Sequence, residues 1–125
     1  MIYYSDKSCS STYDSSKTAI GVVVKDNELV LSQISSSTMR WGTNGIELSL
    51  GDLRASQAED DFNGKSNTAT IIAEDSGAVA AKYCNNYTTV GTSAGDWYLP
   101  AAGELSSYVG GNFNTINTAM TSIPF

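Results

Sequence analysis

Histidine is absent from this 125-residue chain. With it go the commonest general base and the commonest nitrogen ligand for metals, so Ser-His-Asp, Cys-His and histidine-zinc chemistry are excluded. Charge is sparse as well: charged residues make up 16% of the chain, against roughly 25% in an average soluble protein. Thirteen Asp and Glu outnumber seven Lys and Arg, for a formal net charge of −6. That balance argues against gripping a nucleic-acid backbone or an anionic lipid surface, both of which need clustered cations. Long apolar runs are missing too. The longest, Ala19 to Val24, is interrupted by Gly21 and falls far short of a membrane span. Met1 leads directly into Ile-Tyr-Tyr, without the basic and apolar stretches of an export signal. The expectation is therefore an excised domain, or a protein that leaves the cell by another route such as phage lysis.

What the chain does have is small polar residues. Ser 18, Thr 12, Asn 9 and Gly 11 together supply 50 positions. A surface rich in hydroxyls and amides, and poor in Lys and Glu, suits an exported or virion-exposed module. The hydrophobic content of 41%, with 12 aromatics, is enough for a packed core. The length fits one domain.

The β-branched run from Thr18 to Val24 reads as a buried strand, Asp26-Asn27 as a turn, and Glu28 to Ile34 as the antiparallel hairpin partner. Residues 35–66 are polar and irregular, with Gly- and Asn-rich turn signals. Asn67 is a candidate N-cap for a helix in which Ile72, Val79 and Tyr83 form one stripe and Ala80, Cys84 and Tyr87 another, with Gly77 in its middle. Pro100 suits the first turn of a second helix carrying Leu105, Tyr108 and Val109. After Gly110-Gly111, Phe113, Ile116 and Met120 continue the pattern. The order is hairpin, long loop, two to three helices. A two-stranded hairpin alone is marginal, so the sheet reads as incomplete or completed by another chain.

Three segments carry a family resemblance: Tyr4-Ser-Asp6 with Tyr13 to Val23, Asp61-Phe-Asn-Gly64 leading into Ala80-Ala-Lys-Tyr-Cys84, and Gly95-Asp-Trp97-Tyr98-Leu99-Pro100-Ala-Ala-Gly-Glu104-Leu105. Together they resemble the Fibrobacter-type major paralogous domain, a relative of the collagen-like-adhesin C-terminal domain. The resemblance covers essentially the whole chain, and the Trp-Tyr-Leu-Pro…Glu-Leu segment is its most specific part. It implies a single α+β domain over residues 1–125 with a C-type-lectin-like fold, and a binding or display role on a cell, pilus or virion surface. Relatives continue into further core strands beyond the point where this sequence stops. That difference puts ligand binding by this chain in question and raises truncation or strand donation by a partner as alternatives.

Several residues are candidates for function. Glu59, Asp61, Asn63 and Gly64 imitate the first positions of a calcium loop, but the twelfth position, where a bidentate Glu closes such loops, is Thr70. An Asx-type turn feeding a helix is the stronger reading of that segment, with calcium as the alternative. Trp41, beside Arg40 and near Asn44, is either a stacking platform for a ligand or a core residue; Trp97 reads as core. Glu104 reads as structural, because no second carboxylate stands at a glycosidase-like spacing. Cys9 and Cys84 allow one bridge. It would close a loop of about 75 residues and contribute roughly 4 kcal/mol in the chain-entropy model; two separate thiols are the alternative. The reading that follows is a non-catalytic recognition module with no cofactor, extracellular or on a virion, whose ligand is a glycan or a surface protein. The competing reading is a structural subunit of a pilus or virion that assembles with copies of itself or a neighbouring protein. Neither involves nucleic acid or membrane insertion.

Overall fold

The structure is a computed structural model that describes residues 1–25, 29–32, 38–50 and 55–125. These residues gather into two compact units. The first comprises residues 1–35, 89–92 and 107–125; the second comprises residues 36–88 and 93–106.

The first unit is built on a four-stranded antiparallel sheet in the order β2-β1-β3-β4, with β1 at Ile2–Tyr4, β2 at Cys9–Ser10, β3 at Ala19–Lys25 and β4 at Leu29–Leu31. The Val-rich run becomes β3, and its partner follows in antiparallel register, Val22 opposite Leu31 and Val23 opposite Val30. The expected turn at Asp26-Asn27 lies outside the described residues. The hairpin does not stand alone, contrary to expectation. The N-terminal residues pair on the other side of β3, Ile2 opposite Val22 and Tyr3 opposite Gly21. Alternation explains the strand: Ile2 and Tyr4 are buried while Tyr3 between them is only partly covered.

Helix α4, Phe113–Ser122, lays Ile116 on this sheet, and Ile2, Tyr4, Val22, Ile116 and Ile123 form the core, flanked by Tyr13, Val24, Leu31, Val109 and Met120. Of the expected stripe on α4, Ile116 is buried and Met120 half-buried, but Phe113 points to solvent. The buried Tyr4 hydroxyl accepts from the Asp14 N–H at 2.8 Å and donates to the Thr12 carbonyl at 3.3 Å, which fixes the turn-rich segment after β2.

The second unit contains α1 (Ala55–Ala58), α2 (Gly64–Glu74) and α3 (Val79–Asn86). The single helix expected from Asn67 is two helices, and α2 starts earlier, after Asn63. The break falls at Asp75–Ala78, where Asp75 is used as a side-chain acceptor rather than continuing the helix. The proposed stripe of Ile72, Val79 and Tyr83 crosses that break, so it is not one face: Ile72 is half-buried, whereas Val79 and Tyr83 are exposed. A helical run starts at Ala102, so Pro100 lies two residues before it rather than in its first turn as expected. It passes through a π-helical segment, Glu104–Val109, and a 3₁₀ turn at Gly110–Asn112 into α4. Leu105, expected to line this helix's packed face, is exposed, while Val109 packs on the core.

Candidate functional site

The turn before α2 and the segment from Tyr98 to Glu104 bind one another. Gly64 opens α2, and its N–H donates to Glu104 Oε1 at 2.7 Å. The same oxygen accepts the Ala101 N–H at 3.0 Å, and Glu104 Oε2 accepts the Tyr98 hydroxyl at 2.8 Å. Asn63 makes no side-chain cap, so Glu104 supplies the acceptor that the first turn of α2 needs. It is 5% exposed, with both carboxylate oxygens committed to donors. Thr68 adds a second fastening, its hydroxyl donating to the Gly64 carbonyl at 2.7 Å and accepting the Leu99 N–H at 3.0 Å. Two glycines permit the approach. A Cβ on Gly64 would overlap Glu104 and Tyr98, and a Cβ on Gly103 would lie 2.7 Å from the Glu59 carbonyl oxygen and against that of Asp61. The motif residues hold the fold.

Asp61, a candidate calcium ligand, has both oxygens engaged in the same corner. Oδ1 accepts the Asn63 N–H at 2.8 Å, the bond of an Asx-turn, and Oδ2 accepts the Asn67 side-chain amide at 2.8 Å. Asn67 thus braces the turn instead of capping a helix. Glu59 and Asn63 are exposed, and Thr70 spends its hydroxyl on the Ser66 carbonyl. Among the described residues no group of three or more His, Cys, Asp or Glu is arranged to hold a metal ion. The two cysteines of the candidate bridge are free thiols: Cys9 is exposed on β2, and Cys84 is half-buried on α3, where burial pushes its thiol pKa up.

The loop around Trp41 differs in kind. Trp41 is 83% exposed, an unusual position for an indole, yet its backbone is fastened on both sides. The Arg40 carbonyl accepts the Ala80 N–H of α3 at 3.0 Å. Thr43 gives its N–H to Asp75 Oδ2 at 2.6 Å and its hydroxyl to Asp75 Oδ1 at 2.7 Å. Six residues on, Ser49 repeats the arrangement with Glu74, through its N–H at 2.7 Å and its hydroxyl at 2.5 Å. Adjacent carboxylates at the end of α2 therefore clamp the two ends of residues 43–49. These hydrogen bonds hold the carboxyls of Glu74 and Asp75 below their ordinary pKa values.

Between the clamps Asn44, Gly45, Ile46 and Glu47 face solvent, and Arg40 is exposed beside Trp41. The sequence candidates Trp41, Arg40 and Asn44 are thus brought onto one loop that is fastened at Arg40, Thr43 and Ser49. Past the turn, Ile46 to Leu50 form one wall of an open groove of about 840 Å³, with Gln57, Asp60, Asp61, Asn63 and Asn67 on the other. Sequence reading missed Glu74 and Asp75. Their signal is that two carboxylates sit at a helix C-terminus, where the helix dipole disfavours negative charge. That oddity became visible only once the helix was known to end there. Trp97, read as core, is half-buried and meets Tyr87 edge-to-face, ring centroids 5.4 Å apart.

No family model, curated protein or solved structure matches the chain. The described residues include no helix long and apolar enough to cross a membrane.

Proposed function

We propose that this protein is a non-catalytic recognition module of a bacterial surface structure or phage particle, which binds a glycan at the Trp41 loop and the groove that continues from it. One observation carries the reading: an indole left 83% exposed on a backbone pinned at Arg40, Thr43 and Ser49. A solvent-exposed tryptophan that gains nothing for its own core, on a loop ordered at the cost of two carboxylates, is built to meet something. Sugars suit it. Their C–H faces stack on flat aromatic area, and their vicinal hydroxyls pair with the carboxylates and amides that Asp60, Gln57 and Asn63 supply along the groove. The preformed loop also lowers the ordering cost of binding. The low-charge, hydroxyl-rich composition and the resemblance to the Fibrobacter-type domain support an extracellular setting and a C-type-lectin-like fold.

The test is binding of the folded protein to a broad glycan panel, alone, with calcium and with chelator. Saturable binding lost by about thirtyfold or more in Trp41→Ala, with stability changed by less than about 0.5 kcal/mol, is the expected result. Binding that survives Trp41→Ala overturns the site. Loss in chelator would restore the Glu59–Asn63 turn as a calcium site.

A second reading, a structural subunit, is favoured by the first unit, where Val90, Phe113 and Phe125 are 66%, 60% and 56% exposed. Sedimentation of the protein across a wide concentration range decides it, and a monomer throughout ends that reading.

A further inference from the structure

The chain contains Asn-Gly twice, at Asn44-Gly45 and Asn63-Gly64. This dipeptide is chemically reactive, because glycine lacks the Cβ that would hinder its backbone nitrogen from reaching the preceding side chain. We infer that Asn44 is a site of spontaneous, structure-directed deamidation on the Trp41 loop, and that Asn63 is protected by the fold.

The reaction is an internal acyl transfer. The Gly45 backbone nitrogen attacks the Asn44 side-chain carbonyl carbon and forms a C–N bond. The bond to the side-chain nitrogen breaks, and ammonia leaves carrying the proton that the Gly45 nitrogen gives up. Water then opens the five-membered imide at either carbonyl, giving aspartate or isoaspartate. Nothing is oxidised or reduced, and water is the only co-reactant. The step needs a nitrogen free to lose its proton and room for the backbone to turn.

Asn44-Gly45 has both. Asn44 is exposed, and Gly45 sits at φ +85°, the left-handed region that the third position of a type II turn requires. A Cβ placed on Gly45 would have nothing within 4 Å. The turn is closed by one long bond, Ile46 N–H to the Thr43 carbonyl at 3.3 Å, and among the described residues the Gly45 N–H has no acceptor.

Asn63-Gly64 has neither. The Gly64 nitrogen, which would have to attack, donates to the buried Glu104 carboxylate at 2.7 Å. Gly64 is itself buried at the start of α2, and the Asn63 carbonyl accepts the Asn67 N–H at 2.8 Å. Attack there must wait for the helix end to open, so its rate falls by the equilibrium constant of that opening.

The consequence falls on the proposed site and rests on that reading. Conversion adds one negative charge to a chain of formal charge −6, three residues from Trp41, and the isoaspartate form also lengthens the backbone of the clamped loop. The loop would carry a built-in clock that changes its recognition surface with age.

The test needs only the unmodified protein and is independent of any glycan. The chain is incubated in mildly alkaline buffer, folded in one arm and unfolded in urea in the other, then digested with trypsin. Cleavage after Arg40, Arg54 and Lys65 puts Asn44 and Asn63 on separate peptides. The expected result is aspartate and isoaspartate at Asn44 in the folded arm, formed about tenfold or more faster than at Asn63, with the two rates converging in urea. Equal rates in the folded arm, or faster conversion at Asn63, overturn the proposal. If deamidation proceeds as described while Trp41→Ala leaves glycan binding intact, the chemistry stands and only its functional meaning falls.

Discussion

Glu104 shows how one side chain can bind together segments far apart in sequence. Its carboxylate takes donors from Gly64, Tyr98 and Ala101, so truncation leaves two buried backbone N–H groups unanswered and removes the acceptor of the part-buried Tyr98 hydroxyl. Glu104→Ala is expected to destabilise the protein by about 3 kcal/mol, read as a lower urea midpoint at unchanged slope. Glu104→Gln keeps an acceptor for the two backbone N–H groups and should cost about 1 kcal/mol. A similar cost for both variants would mean that the bonds to Gly64 and Ala101 matter little. The thiols give a second test at this scale. Cys9 is exposed, whereas Cys84 is half-buried and its burial raises its pKa above the ordinary thiol value, so a thiol-alkylating reagent at neutral pH should modify Cys9 first. Equal rates would show that α3 opens readily. The structural role of Glu104 was legible in the sequence as a carboxylate without a catalytic partner. Its three donors were not, because they come from residues 3, 6 and 40 positions away and no local pattern links them.

At the scale of elements, the break between α2 and α3 makes a prediction that runs against helix propensity. In the continuous helix expected from residues 67–87, Gly77→Ala would stabilise by about 1 kcal/mol. In the structure a Cβ on Gly77 would overlap the Thr43 hydroxyl and lie 3.2 Å from Asp75 Oδ1. The Gly77 N–H also donates to that oxygen at 2.8 Å, so the substitution presses on the clamp itself. Gly77→Ala is therefore expected to destabilise by roughly 1–2 kcal/mol and to loosen the Trp41 loop. Thr43→Ala removes the overlapping hydroxyl, so the double variant should lose less than the sum of the two single losses, in a cycle of melts. Additive losses would sink the steric account. The same region shows where sequence patterns run out. The β3–β4 hairpin was readable because β-branched residues and turn residues agree. The strand β1 was not, since three residues at a terminus give too short an alternation to stand out. Helical spacing across residues 72–83 looked continuous because periodicity cannot see Thr43 reaching Asp75 from 32 residues away.

For the molecule as a whole, acidity matters more than base in its working range. Without histidine, no side chain of ordinary pKa titrates between the carboxylates and the thiols. In the first unit, hydrogen bonds from the Ser8 hydroxyl and N–H and from Lys17 hold Asp6 down at about 2, and Ser16 does the same for Asp14 in direction. In the second, Ser49 lowers Glu74, and Thr43, with Gly77, lowers Asp75. Each folded-state pKa is depressed, so each group contributes stability that is complete above its unfolded value and disappears as pH falls through its folded value. The unfolded references are 3.8 for Asp and 4.5 for Glu. The thermal midpoint is therefore expected to be nearly flat from about pH 5 to 8 and to drop steeply from pH 4.5 toward 2. Within that fall the amide resonances of Thr43 and Ser49 should move with the protonation of Asp75 and Glu74. Those shifts mark release of the Trp41 loop by acid, separately from global unfolding. A midpoint that declines between pH 8 and 6 would require a titrating group that these carboxylates do not supply. Amides at Thr43 and Ser49 that stay fixed down to pH 2 would mean that the loop is held by something other than its two clamps.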